Sequence, residues 1–271
     1  MTVGMRIALK IAYDGRSFYG HQRQPVERTV EGECLAALKA AKILRDPREA
    51  FFRSASRTDR GVSAVGNVIA FTTRFRDSES VVGAFNDRAR EVFAWAAAEV
   101  SESFHPRHAV ERWYRYHIFE DLPSDPLDRA ASLFVGLHDV RSFTSDPPPG
   151  PFRVSRVDLS HVDNSSLVDI RAPSFRRGMV RRIVSAILAH ARGEVALDEI
   201  AAALSGARRD FGMARAEPLF LMDVLYDFPF RVVMKPKVRE EWERLRVDAS
   251  LRSRLISAWR EAARSDPRES L

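Results

Sequence analysis

One carboxylate set among cations is the first feature of this chain that could do chemistry. In Ser54-Ala55-Ser56-Arg57-Thr58-Asp59-Arg60-Gly61-Val62-Ser63-Ala64, Asp59 stands among two arginines and a glycine, between two stretches that look like strands. An Asp shortly before a Gly is ordinarily a turn former that bonds its own backbone. A turn needs only those two residues, and the flanking guanidiniums add nothing to it. Asp59 is therefore also a candidate nucleophile or general base. In Arg112-Trp113-Tyr114-Arg115-Tyr116, strand alternation puts Tyr114 and Tyr116 on one face and Arg115 on the other. This is either a half-buried aromatic strand or a platform for a planar ligand. Arg171 to Arg182 (RAPSFRRGMVRR) carries five arginines and no acid. Helical spacing would place Arg177 and Arg181 together, as a solvated face or as a phosphate-binding surface.

Other chemistries have less support. There is no GxxxxGK[ST] loop and no strand followed by GxGxxG, so nucleotide cofactors lack a motif. His105 and His108 are three apart, but no carboxylate or cysteine cluster completes a ligand set, and FHPRH reads as a structured basic loop without a metal. The expectation is an enzyme without metal or cofactor.

Composition sets the frame. The 271 residues are 45% hydrophobic with 13 Gly, 14 Pro and 1 Cys, which excludes collagen-like, disulfide-stapled and disordered classes. Of 43 basic residues only five are lysines, against 37 acids, for a net charge of +6. Arginine suits phosphate and base recognition, so the balance admits nucleic acid without requiring it. The lone Cys34 fits a reducing compartment. No apolar run approaches a membrane span, and an N-terminal stretch broken by Arg6 and Lys10 does not read as a secretion signal. A soluble cytoplasmic protein is expected.

The elements that must position these residues follow from periodicity. Strands are predicted at Arg6 to Tyr13, Phe51 to Ala55, Asn67 to Thr73, Trp113 to Phe119, Val154 to Val162, Leu167 to Ala172 and Leu219 to Tyr226. Helices are predicted at Thr29 to Leu44, with Thr29 as cap, at Glu79 to Arg90, before Val135, and at Arg177 to Arg192, Ala196 to Leu204 and Val238 to Arg264. Val92 to Val100 is a strand or a short buried helix. Strict βαβ alternation is missing, so the expected class is α+β: two similar halves, 1–106 and 107–271, with largely antiparallel sheets flanked by helices around a central basic cleft. Helices would cover one sheet face and leave the other for a ligand.

Five segments in order resemble the tRNA pseudouridine synthase A (TruA) family along nearly the whole chain. They are YDGRSFYGHQRQP (Tyr13 to Pro25), SRTDRGVSAVGNVIAF (Ser56 to Phe71), SFHPRHAVERWYRYHIF (Ser103 to Phe119), SFRRGMVRRIVSAIL (Ser174 to Leu188) and AEPLFLMDVLY (Ala216 to Tyr226). His21, Ser56, Ser63, Arg182, Ser185 and Pro218 depart from the bacterial pattern, and with the basic tail they look like the archaeal branch. The resemblance implies the pseudouridine synthase fold, with Asp59 as catalytic aspartate, Arg57 shaping its loop, and Arg181 as ion-pair partner of Asp59. Tyr114 would stack on the target base, with Tyr116 as the second choice. Arg23, Gln22, Arg60, Tyr116 and Arg177 would meet RNA. It implies a homodimer acting on the anticodon arm of tRNA (positions 38 to 40). Alternatives are a synthase for another RNA or tRNA position, or a non-catalytic RNA-binding module of the same fold.

Overall fold

Long apolar strands dominate the computed structural model, which describes residues 4–148, 150–162 and 165–264. In chain order the first elements are β1 (Met5–Tyr13), α1 (Val30–Ala40), β2 (Arg53–Ser54), β3 (Ser63–Thr73), α2 (Ser78–Asn86) and β4 (Val92–Glu99). Then come β5 (Glu111–Ile118), α3 (Ser124–Ser132), β6 (Gly136–His138), β7 (Phe152–Val154), β8 (Arg156–Val162) and β9 (Ser165–Ala172). Last are α4 (Met179–Ala191), α5 (Leu197–Leu204), β10 (Leu219–Leu225), β11 (Arg231–Val232) and α6 (Pro236–Arg264). Among the described residues nine strands form one sheet in the order β11-β4-β1-β3-β10-β5-β9-β8, with β2 on β3; β6 and β7 pair separately. Its pairings are antiparallel except that between β3 and β10, so the expected α+β class with a largely antiparallel sheet holds.

That parallel pair, Phe220 with Ser63 and Leu221 with Ala64, joins the early strands to the late ones. Register then lines up one row across the sheet: Tyr13 beside Ala64, Ala64 beside Leu221, Leu221 beside Tyr114. Directly paired residues share a face, so two distant tyrosines stand on one side with only Ala64 and Leu221 between them. The loop from Ala55 to Val62 leads into this row.

Several boundaries differ from the periodicity reading. β3 starts at Ser63, because Ala64 pairs on both sides, and this shortens the Asp59 loop. Val92–Glu99 is a strand, held by β1. α4 starts at Met179: Gly178 takes φ +69 and breaks the run, so Arg177 precedes the helix and does not share a helical face with Arg181. α1 stops before Lys42, whose φ of 57 is left-handed, while Thr29 caps its start by accepting from Gly32 N. The strands β6 and β11, three and two residues long, carry too short a pattern to be read. Nearly every residue of β1 and β3 is buried, on both faces. No bare sheet face remains there for a ligand, contrary to expectation, and the loop at the start of β3 becomes the accessible place.

Two compact units divide between Val232 and Val233. The second contains α6, whose Leu251, Leu255, Ile256 and Trp259 are exposed. Glu241–Arg244 and Glu243–Arg246 ion pairs, three residues apart, line its surface. No helix among the described residues is long and apolar enough to cross a membrane.

The tightest junction under the Asp59 loop is at Gly15, where an added Cβ would lie 2.1 Å from the carbonyl oxygen of Val62. Neither backbone can yield there without moving β1 or β3. Gly15→Ala is expected to cost about 3 kcal/mol, the upper range for overpacking a filled site, read as a lowered midpoint in denaturant unfolding.

Candidate active site

Asp59 opens a tight turn. Val62 N donates to Asp59 O at 3.1 Å, and Gly61 in the third position has φ +86, which a β-carbon would strain. The rest of the loop is fastened from several sides. His21 N donates to Thr58 O at 3.0 Å, Ala55 N to Val68 O at 2.8 Å, and Ser63 Oγ accepts from Gly15 N at 3.0 Å. From beneath, Tyr13 Oη lies 2.8 Å from Thr58 Oγ1, and Asn67 Nδ2 donates to Ser56 O at 3.0 Å and to Tyr13 Oη at 3.2 Å. Arg112 completes the clamp with bonds to Ser56 Oγ (3.2 Å), Ala55 O (3.3 Å), Arg107 O (2.9 Å) and Pro173 O (2.5 Å). Burial presses this guanidinium below its ordinary pKa, since no carboxylate compensates it there.

The turn delivers the Asp59 carboxylate to Arg181. Arg181 Nη1 donates to Asp59 Oδ2 at 3.2 Å across 122 residues of sequence, while Arg181 Nε donates to Ala214 O at 2.7 Å. The carboxylate side chain is 39% exposed and the guanidinium 19%. A pair this accessible contributes at most about 1 kcal/mol to folding. Its consequence is geometric: Arg181 is anchored at one end by a carbonyl and aims the carboxylate with the other, leaving Asp59 reachable.

Tyr114 forms the floor beside this pair. Its ring meets Phe175 edge-on at 5.2 Å. Burial pushes its hydroxyl pKa up to about 12; Arg112 and a hydrogen bond with Ser56 oppose that, and the charge of Asp59 adds to it. The hydroxyl is therefore protonated at neutral pH and can donate. Tyr116 shares that face, and burial raises its pKa too, against the pull of Arg181 and Arg215. Arg115 takes the opposite face and binds Asp169 through two bonds of 2.9 and 2.8 Å.

The remaining sequence-derived residues lie around the loop and at the start of α4. Arg57 is exposed, and Arg60 is exposed with its guanidinium 3.9 Å from the Tyr19 ring centroid. Gln22 and Arg23 are exposed before α1, where Arg23 N donates to Glu31 Oε2. Arg177 is exposed, its carbonyl accepting from Thr144 Oγ1 at 3.0 Å. The structure thus brings Asp59, Arg181 and Tyr114 together, with Tyr116 beside Arg181, and spreads the other arginines over accessible surface. His105 and His108 stack loosely at 5.3 Å, and no group of three metal-ligating side chains occurs among the described residues.

Sequence reasoning missed the clamp. Asn67 could have been noticed as a polar residue inside an apolar strand, whereas Tyr13 and Arg112 have roles that only the register discloses.

A family profile described as tRNA pseudouridine synthase matches residues 130–227. A tRNA pseudouridine synthase A from Pyrococcus furiosus is 41% identical over 261 residues, 91% of this chain and 95% of that protein. The chain belongs to the tRNA pseudouridine synthase A family. Synthases A from Thermococcus sibiricus (42% identity; 72% of this chain, 75% of that one) and Methanothermobacter thermautotrophicus (40%; 82% and 81%) agree. A solved chain from a Cbf5-Nop10-Gar1 complex aligns over 78% of this synthase-family chain and 47% of its own, with 10% identity and a TM-score of 0.35.

His21 is a buried feature of this family member that the sequence showed only as a departure. It is 1% exposed and neither ring nitrogen has a hydrogen-bond partner among the described residues. Burial, assisted by the charge of Arg57, lowers its pKa from 6.5 to about 4. The folded ring stays neutral where the unfolded ring takes a proton, so stability is full above pH 6.5 and declines as pH falls towards 4. Wild type should lose roughly 3 kcal/mol over that interval relative to His21→Leu. Denaturant unfolding of both proteins at pH 7, 5.5 and 4 checks this; a constant difference would contradict it.

Proposed function

We propose that this chain isomerises uridine to pseudouridine in the anticodon arm of tRNA, at positions 38 to 40, with Asp59 as the catalytic carboxylate. Family membership makes it a tRNA pseudouridine synthase, an isomerase. The assignment of Asp59 is supported chiefly by one observation: a reachable carboxylate in a clamped turn, hydrogen-bonded to an arginine from a distant helix.

The reaction breaks the bond from ribose C1′ to uracil N1, turns the base and bonds C1′ to C5; the C5 proton leaves and N1 gains one. Atoms balance without redox change or an added group, so no cofactor is needed. Asp59 can act by attacking the ribose, by attacking the base or by taking a ribose proton. All three need an ionised carboxylate at a constant angle, which is the task we assign to Arg181. The target base must leave its stack at a cost of about a few kcal/mol. Contact with an aromatic ring offsets that by about 1 to 3 kcal/mol. We assign this contact to Tyr114, whose protonated hydroxyl can also donate to the base, with Tyr116 extending the floor. Arg57 shapes the loop, and Gln22, Arg23, Arg60 and Arg177 meet the RNA, by shape and phosphate more than by base edges. A cytoplasmic homodimer is the proposed working form, with halves 1–106 and 107–271 both facing the substrate.

Incubation with unmodified tRNA, followed by mapping of modified uridines, tests the reading. Asp59→Asn should keep tRNA affinity and lose at least about 10³-fold in rate, the scale for a group that acts in the transition state. Product at wild-type rate would remove Asp59 from catalysis. Arg181→Met should lower the rate by about 10²-fold, as a misaimed group does, while unfolding changes by less than about 1 kcal/mol.

A further inference from the structure

A second concentration of arginines lies roughly 100° around α4 from the Asp59 contact. A pocket of ≈ 280 Å³ is lined by Arg141, Arg182, Arg208 and Arg209, with Ser142 and Thr144 behind them and Asp210 as its acid. We infer that this pocket binds a backbone phosphodiester of the RNA substrate, away from the nucleotide that reacts. The inference rests on the reading of the chain as a tRNA-modifying enzyme.

The pocket is built. Ser142, itself buried, donates to Ala207 O at 2.9 Å and accepts from Arg209 N at 3.0 Å, which fixes the Arg208–Arg209 segment against the short turn Arg141–Phe143. Gly206, at φ +110, comes so close to Arg141 that an added Cβ would lie 3.1 Å from Nη2. Phe143 stacks on Phe211 at 5.3 Å beneath the same segment. Rigid backbone thus carries the cations.

The cations are incompletely neutralised. Arg141 is held by Asp139 (3.0 and 2.8 Å), Arg182 by Asp210 (2.9 Å) and Arg209 by Glu199. Arg208 is exposed and has no hydrogen bond or ion pair among the described residues; only the longer-range charge of Asp139 reaches it. Arg182 Nε is buried and unpartnered. Three acids orient three of the four guanidiniums, and each guanidinium has five donors, so N–H groups remain to meet a multivalent anion.

Position favours RNA over a free anion. Arg181 and Arg182 are consecutive on α4 and so diverge by roughly 100° around its axis, Arg181 towards Asp59 and Arg182 into the pocket. Thr144, a pocket wall, bonds the carbonyl of exposed Arg177 at the start of that helix. One strand crossing the first turn of α4 would therefore pass Arg177, Arg182 and Arg208 while a nucleotide further along reaches Asp59.

The test compares full-length wild type, Arg208→Gln and the double variant Arg182→Gln/Arg208→Gln for binding to unmodified tRNA over a range of salt. Losing a phosphate contact removes about 0.7 to 0.9 from the slope of log K against log salt. The double variant should lose about 0.7 to 0.9 from the slope and bind several-fold more weakly, while Arg208→Lys keeps most of both. Unchanged affinity and slope in Arg208→Gln and the double variant would overturn the inference. Inorganic phosphate that weakens tRNA binding more than matched chloride in wild type but not in the double variant supports the inference; phosphate that binds wild type without weakening tRNA binding, together with unchanged tRNA affinity of the variants, would instead assign the pocket to a free anion. Thermal unfolding monitors folding, and exposed, unpaired Arg208 carries the comparison alone if the double variant is destabilised. Pseudouridine formation by the wild type is scored separately, so a failed pocket and a failed enzyme assignment give different results.

Discussion

The carboxylate of Asp59 is positioned by a loop whose backbone and buried polar groups are bound at nearly every step. Thr58 and Ser56 are tied through their carbonyls, Ala55 through both its N–H and its carbonyl, and Thr58 again through its hydroxyl. The tying groups come from β1, β3, β5 and the segment before α1, so the loop cannot shift without unsatisfying several buried bonds at about 1 to 3 kcal/mol each. Gly15 and Gly61 allow the close approach and the turn that this arrangement requires. The site is consequently as rigid as the sheet beneath it.

Two kinds of arginine serve this architecture. Arg112 is buried and spends its donors on carbonyls and a hydroxyl, so it organises backbone. Arg181 is partly exposed and spends one donor on a carbonyl and another on Asp59, so it transmits the order of its helix to that carboxylate. The many exposed pairs, such as Arg16–Asp14 and Arg192–Glu120, contribute little to folding because solvent screens them. The arginine content is thus divided among scaffold, aim and surface.

Much of this was legible in the residues. Asp59 stood out because its neighbours exceed what a turn needs, and Tyr114 and Tyr116 because strand alternation is strict. The antiparallel class followed from missing βαβ alternation, and the Thr29 cap from residue type. Contacts between distant segments were not legible: Arg181 could be proposed for Asp59 only through resemblance, and the Tyr13-Ala64-Leu221-Tyr114 row exists only once β3 and β10 pair. The start of α4 was misread because arginines on both sides of Gly178 continue the helical spacing that its backbone interrupts. Arg141 and Arg208 carried no local pattern at all.

Arg112 has an effect that reaches beyond its bonds. A buried positive charge lies beside Tyr114 on the same strand face with no carboxylate bonded to it among the described residues, in a medium that polarises weakly, so mobile ions in solution cannot cancel its field as they do around exposed cations. The field it sets up around Tyr114 is therefore a constant of the fold, while that of the exposed arginines rises and falls with the ionic surroundings. The buried charge of Arg112 and the exposed arginines are thus electrostatic sources that the environment scarcely touches in one case and readily modulates in the other.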